Sequence, residues 1–289
     1  MAIYDYNGDQ IYSAYAKDGT DLLKAYDVSG EQIWSKTGKI PFRVMSYNVQ
    51  WFTKTNLYKD VIDHAFVTQD ADIVGMQEYT LSSDNTTQID GVPIRTYIQN
   101  KGYADFRIGT LANNKTALAS KFNTTALTEH AYSVHGSEVR SYIKSYITIG
   151  GKTVAFYNTH LDPYNQSYRA TQIQELMADA ALEDMFVMTG DFNVACLDTS
   201  HADYINVIKP LIDAGYNVAN DNPNRDGFIP TWTSKTDFIQ SGYSCLDNII
   251  TSANINMVDV WVDDYKVTHN PDQYDLDHVP IVADLEIVL

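Results

Sequence analysis

The chain has 289 residues, 44% hydrophobic and 20% charged, with a formal net charge of −17. That acidity argues against a protein that grips nucleic acid through a broad basic surface, because such binding neutralises phosphates with Lys and Arg; transient chemistry on a phosphate stays open, since a bound cation dominates its local field. No apolar run approaches the ~20 residues that cross a bilayer, and the opening M-A-I-Y-D-Y-N-G lacks the basic and apolar regions of a signal peptide.

Residues 1–40 hold an internal repeat, Y-D-Y-N-G-D-Q-I-Y-S at 4–13 and Y-D-V-S-G-E-Q-I-W-S at 26–35. Each copy sets a Gly-containing turn between short aromatic and β-branched segments, which is hairpin chemistry. Two copies are too few for a solenoid. A small β-hairpin appendage is therefore expected at 1–40, serving assembly or surface attachment, ahead of a main domain at 41–289.

From Pro41 the texture changes. Residues 42–49 alternate as a strand does and end near Asn48, and residues 58–69 suit a short helix with Val61, Ile62, Ala65 and Phe66 on one stripe. An apolar strand at 71–77 ends at Glu78, and a helix at 94–100 closes on Gly102. Strands are expected at 107–111, 116–120, 139–149 and 152–158, the last two joined through Gly150-Gly151. Ala170, Ile173, Leu176, Met177 and Ala180 stand at helical spacing within 166–182. A buried strand at 185–189 leads to Gly190-Asp191. A helix at 204–214, a polar loop at 217–240 and strands at 244–251, 258–262 and 279–288 complete the chain. Many strands with few helices between them predict two packed sheets covered by helices.

Asn48, Glu78, His160, Asp191, Asn193, Asp247, Asp277 and His278 all fall at or near those strand ends. Polar groups of this kind are costly in a core unless paired. Carboxylates suit a hard divalent cation, and an imidazole beside a carboxylate supplies a base near neutral pH. Singly, each fits a structural role, an Asn in a turn or a His paired in a core; jointly they point to a site.

In chain order, S-Y-N-V-Q, D-I-V-G-M-Q-E, N-T-H-L-D, G-D-F-N, L-D-N-I-I and D-H-V-P-I-V-A resemble the motifs of the endonuclease/exonuclease/phosphatase superfamily, over about residues 42 to 289. The resemblance implies an α/β fold, a four-layer α/β/β/α sandwich of two mixed sheets flanked by helices. It implies phosphoester hydrolysis with Mg²⁺, or Mn²⁺ or Ca²⁺ as substitutes. Asn48, Glu78 and Asp277 then resemble the metal site, and Asp191 and Asn193 the pair that orients the attacking water and steadies the phosphoryl oxygens. His278 resembles the catalytic histidine, with Asp247 holding its tautomer. His160 resembles the second histidine, bonded to a phosphate oxygen or protonating the leaving group, and Arg140 a substrate-binding arginine. Leu276 departs from the pattern where relatives often carry Ser, which removes a hydroxyl but no ligand.

Cys196 and Cys245 occupy places similar to a disulfide of pancreatic-type deoxyribonucleases, which implies a bond between them and a secreted or extracytoplasmic location; without that bond a cytoplasmic one is expected. Thr80 stands where those enzymes carry a minor-groove arginine. Lys115 and Arg169 are the candidates for a basic pocket of the inositol-polyphosphate phosphatase kind. Trp232 and the N-terminal tyrosines are candidates for a sphingomyelinase-type membrane contact, although buried aromatics are the plainer expectation. The function expected is a monomeric, nuclease-like phosphodiesterase meeting nucleic acid or another phosphoester transiently. The alternatives are a phosphomonoesterase, a sphingomyelinase-type lipase, or a vestigial binding module, the last disfavoured by retention of all eight polar groups.

Overall fold

In the computed structural model, which describes residues 3–4, 10–11, 24–26, 32–35, 39–52, 59–81, 86–194, 199–221, 231–232, 245–265 and 277–288, four short strands come first. Ile3–Tyr4 (β1) pairs antiparallel with Gln10–Ile11 (β2), and Lys24–Tyr26 (β3) with Gln32–Ser35 (β4). Each pair brackets one Gly-containing segment of the repeat.

The strands continue as Lys39–Asn48 (β5), Ile73–Thr80 (β6), Gln88–Ile89 (β7), Val92–Pro93 (β8), Asp105–Ile108 (β9), Lys115–Ser120 (β10), Thr128–Ala131 (β11), Ser141–Ile149 (β12) and Lys152–His160 (β13). Phe186–Asp191 (β14), Asn217–Val218 (β15), Asp247–Thr251 (β16), Ile255–Val262 (β17) and Ile281–Val288 (β18) follow. One six-stranded sheet runs β17-β18-β5-β6-β10-β9 and the other β11-β12-β13-β14-β16-β15. Each is mixed, with a single parallel pair, β5 with β6 and β13 with β14.

Strand alternation distributes the apolar residues over three cores, and three cores make four layers. Ile40, Phe42 and Val44 of β5 join Phe156, Val187 and Ile249 in the core between the sheets. Met45 and Tyr47, of opposite parity, enter an outer core with Ile62 of Lys59–Asp63 (α1) and Ile94 and Ile98 of Ile94–Gln99 (α2). On the far side, Tyr157, Phe186 and Met188 pack with Ile173 and Leu176 of Gln166–Ala180 (α3) and Leu211 of Lys209–Asp213 (α4). Central strands buried on both faces explain why their sequences read as nearly continuous apolar runs. The expected four-layer α/β/β/α sandwich is the one observed.

The helices differ from expectation in detail. Periodicity suggested one helix at 58–69, but α1 passes into a π-helical turn, His64–Thr68, and another, Tyr204–Ile208, precedes α4. Apolar spacing cannot separate these from α-helix, because Ala65, Phe66, Val207 and Ile208 stay buried across the wider turns. Among the described residues no helix is long and apolar enough to cross a membrane.

The sheets approach closely at Gly75 of β6, where an added Cβ would lie 1.9 Å from Thr189 Oγ1 on β14. A residue without a side chain is required there.

Candidate active site

Towards one end of the sandwich the inner faces turn from apolar to polar. On β13 the inward series is Val154, Phe156, Asn158, His160; on β14 it is Val187, Thr189, Asp191; on β16, Ile249 and then Asp247. Cross-strand register sets His160 opposite Asp191, and Asp191 opposite Asp247. Three buried polar groups, far apart in the chain, therefore form one row across three strands.

The facing sheet contributes Asn48, the last residue of β5, beside Glu78 on β6. The strand reading ended at Gln77 and put Glu78 at a terminus; Glu78 lies inside β6, at an irregularity. Pairing with β10 runs from Met76↔Ala117 to Thr80↔Lys115, so extra residues of β6 are accommodated between those pairs. Glu78 has φ 51°, the left-handed region that a non-glycine residue adopts at a cost. Ile73 belongs to the inter-sheet core, Val74 and Met76 to the outer one, so strict alternation would send Glu78 outward with Met76. The bulge re-aims it, and its carboxylate accepts a bond from Asn48 Nδ2 at 3.2 Å.

Asn48 Nδ2 also donates to Asp191 Oδ2 at 3.0 Å and lies 3.4 Å from His278 Nε2, while Asn48 Oδ1 accepts from the Gln50 amide at 3.1 Å. His278 Nδ1 is 2.7 Å from Asp247 Oδ2, and its Nε2 faces Asp191 Oδ2 at 3.7 Å. His160 Nε2 is 3.4 Å from Asp191 Oδ2 and 3.9 Å from Glu78 Oε1. Asn193, with φ 52°, turns back so that its amide meets Asp191 Oδ1 at 2.9 Å and its side chain donates to the Leu161 carbonyl at 3.0 Å. The half-buried Asp277 belongs to the same cluster, since its charge acts on Glu78, His278 and Tyr47.

This crowding shifts the titrations in opposite senses. Burial pushes Glu78 up from the usual carboxylate range, against the stabilising bond from Asn48. Burial, followed by the charge of Asp247, pushes Asp191 up as well. Burial opposes charge on His278, but Asp247 and Asp191 outweigh it and raise its proton affinity. His160 is held well below the usual histidine range by burial, with Arg140 and His278 acting in the same direction. The two imidazoles are therefore biased in opposite directions, His278 towards and His160 away from protonation.

Arg140 is 3% exposed, and its Nη2 bonds Glu138 at 2.9 Å. Its Nε and Nη1 are buried with no hydrogen-bond acceptor among the described residues. A desolvated guanidinium with open donors beside the acidic cluster is suited to an oxyanion.

Sequence reasoning missed Thr231, Glu138, Gln77 and Asn158. Thr231 Oγ1 accepts from the Asp247 amide at 2.9 Å and its carbonyl from Val279 N at 2.8 Å, while Trp232 bridges to His278. That short segment ties the approach to both partners of the His–Asp pair, and nothing local in I-P-T-W advertises it. Both candidate basic residues are engaged by neighbouring groups. Arg169 is buried on Asp203 and the Asp162 carbonyl, and Lys115 Nζ bonds the carbonyls of Thr110 and Ala112. Thr80 is buried, so it lines no open groove. Cys245 is buried, and Cys196, with the pairing expected of it, lies outside the described residues.

The donor chemistry fits a divalent cation. Glu78, Asp277 and Asn48 offer an all-oxygen set of the kind hard cations take, and Asp247 Oδ1 is buried without a hydrogen-bond partner among the described residues. Donor atoms of Asp191, Asp247 and His278 also lie within 4.8 Å of one another. Within this second set Asp247 Oδ2 is already engaged by His278 Nδ1 at 2.7 Å.

Fold and site define a class, a double-sheet sandwich with carboxylates, amides and a carboxylate-held imidazole at one end. The model of the Endonuclease/Exonuclease/phosphatase family matches residues 45–268, and the chain belongs to that family of hydrolytic phosphoesterases. Similar solved structures include an endonuclease/exonuclease/phosphatase from Beutenbergia cavernae, with a TM-score of 0.66 and 15% identity over 86% of this chain and 72% of that one. Another is TDP2 of D. rerio complexed with single strand DNA product, with a TM-score of 0.63 and 12% identity over 85% of this chain and 98% of that one. A third is a mannosyl-6-phosphatase of Bacteroides thetaiotaomicron, with a TM-score of 0.57 and 17% identity over 84% and 99%. No curated protein sequence matches the chain.

Proposed function

We propose that the chain is a divalent-metal-dependent, nuclease-like phosphodiesterase in which His278 activates the attacking water. The observation that carries this is the 2.7 Å bond from His278 Nδ1 to Asp247, which leaves Nε2 turned towards Asn48 and Asp191. A proton on Nδ1, fixed by Asp247, makes Nε2 the basic nitrogen.

In the proposed reaction, water oxygen bonds to phosphorus as its proton passes to His278 Nε2, with Asp191 and Asn193 orienting the water. The bond from phosphorus to the leaving oxygen breaks, and that oxygen takes a proton from solvent. Arg140 offers Nε and Nη1 to the non-bridging oxygens, stabilising charge as it develops. His160, kept neutral, serves as a hydrogen-bond donor to a phosphoryl oxygen rather than as an acid. Glu78, Asn48 and Asp277 are the residues that would hold Mg²⁺, with Mn²⁺ or Ca²⁺ as substitutes. When bound, such a cation supplies positive charge to the phosphoryl group and weakens the hold of His278 on its proton.

The engaged Lys115 and Arg169 and the acidic chain disfavour a polyanion held by many cations. A transient contact with nucleic acid, or a small diester, suits them better. In this reading residues 1–40 are an appendage to a monomeric catalytic unit at 41–289. The test is hydrolysis of plasmid DNA, RNA, an activated diester, an activated monoester and sphingomyelin, with Mg²⁺ or Mn²⁺ and with EDTA. Metal-dependent cleavage of DNA or the diester, lost in Asp191→Ala and His278→Ala, is expected. Activity confined to the monoester or sphingomyelin changes the branch; activity indifferent to EDTA overturns the mechanism.

A further inference from the structure

Asn158 stands on the inner face of β13, two residues before His160 and two after Phe156, at 0% exposure. Its amide uses all of its hydrogen-bonding capacity. Nδ2 donates to the Met76 carbonyl at 2.8 Å and the Ala117 carbonyl at 2.9 Å, and Oδ1 accepts from Gln77 Nε2 at 2.6 Å and Thr189 Oγ1 at 3.1 Å. Three of these partners belong to the opposite sheet. Met76 and Ala117 form the last regular pair of β6 and β10 before the irregularity that carries Glu78.

One side chain from the second sheet thus clamps the two strands of the first where β6 departs from regular pairing. Gln77, the residue between Met76 and Glu78, is held by the same amide and by Ser46 Oγ at 3.2 Å. The backbone at Glu78 is in the left-handed region and persists only if its surroundings over-determine it. We propose that Asn158 is a positioning residue for Glu78. It fixes the bulge in β6 from across the sandwich, and because His160 follows on the same face of β13, it also sets the spacing of His160 from Glu78. This rests on the assignment of Glu78 as a metal ligand in the proposed function.

The experiment uses the full chain and three variants, Asn158→Leu, Asn158→Thr and Thr189→Val. Leu keeps the Cγ branching of Asn at a larger volume and removes every bond; Thr is smaller, suits a strand and keeps one hydroxyl, and is the variant to read if Leu does not fold. Thr189→Val removes a bond to Asn158 in the same buried layer while leaving those of Asn158 to Met76, Ala117 and Gln77 in place, and controls for loss of stability alone. Mn²⁺ affinity by calorimetry is measured beside kcat and KM on an activated diester.

Residues that orient a metal ligand typically change affinity by about 10–100-fold when replaced. The Asn158 variants are expected to bind Mn²⁺ at least about tenfold more weakly and to lose kcat with little change in KM, and excess Mn²⁺ should restore part of that kcat. Thr189→Val should keep wild-type affinity even where its melting temperature falls as far. Wild-type affinity and kcat in folded Asn158 variants would leave Asn158 a purely structural residue and overturn the proposal. A wild-type chain that binds no Mn²⁺ and hydrolyses nothing would overturn the metal assignment of Glu78 first, and the positioning role with it.

Discussion

His278 Nδ1 lies 2.7 Å from Asp247 Oδ2, and the two residues come from opposite sheets: Asp247 opens β16, while His278 leads into β18. The pair forms only when the sandwich closes. Asp247→Asn should leave the fold intact and reverse the preferred tautomer, lowering kcat by about 10³- to 10⁴-fold with KM nearly unchanged. Steady-state kinetics on an activated diester check this.

Asp191 is buried beside Asp247, and both effects raise its carboxyl above the usual range. The sign follows from linkage: its charged form is disfavoured on folding, so the metal-free protein loses stability as pH rises from the unfolded carboxylate range through the folded value. Asp191→Asn removes that charge and keeps an acceptor for Asn48. The variant should melt a few degrees higher than wild type in EDTA at pH 8, yet show no activity. A thermal melt and an assay on the same sample decide it.

Arg140→Lys keeps the charge but loses the planar fork whose Nε and Nη1 are open. Raising KM for a diester by about tenfold or more is the expected consequence, since a bidentate guanidinium is not replaced by an ammonium. Added salt should not mimic the effect, because the group is buried.

Away from the site, Asp179 on α3 accepts from Tyr142 at 2.6 Å, Lys144 at 2.7 Å and Tyr157 at 3.1 Å. Partial burial pushes its carboxyl up, but the bonds from Lys144 and Tyr142 outweigh that and hold it below the usual range. A depressed carboxylate contributes stability above its unfolded value and loses it as pH falls through the folded one. Asp179→Asn should therefore cost about 1–2 kcal/mol at pH 7, reduced by solvent screening at this partly exposed position. It should also flatten the acid limb of melting temperature below about pH 4.

Gly75→Ala places a methyl 1.9 Å from Thr189 Oγ1. Overpacking of this kind costs about 1–3 kcal/mol or more. Pairing it with Thr189→Ala should recover part of the loss, a non-additivity expected of groups in contact, and chemical denaturation of the four proteins measures it.

How much of this was legible in the chain depends on the range over which each feature is decided. Alternation and apolar runs marked most strands of the two sheets, because period and burial are local properties of a strand. Asp277 beside His278, and the G-D-F-N turn, named their residues for the same reason. Other features depended on partners remote in sequence. Parity along β6 would have sent Glu78 into the outer core, and the pairing of Met76 with Ala117, bonded by Asn158 from the other sheet, accompanies the bulge that turns it inward. Arg169 looked available and is tied to Asp203, whereas Arg140 pairs through Nη2 with Glu138 and keeps Nε and Nη1 open among the described residues. His160 and His278 are the same residue type, yet burial lowers the proton affinity of one while two carboxylates raise that of the other. Residue identity and strand period were set by the sequence alone; orientation, protonation and partner choice were decided by tertiary packing, because each depends on charges and hydrogen-bonding groups brought close only when the two sheets meet.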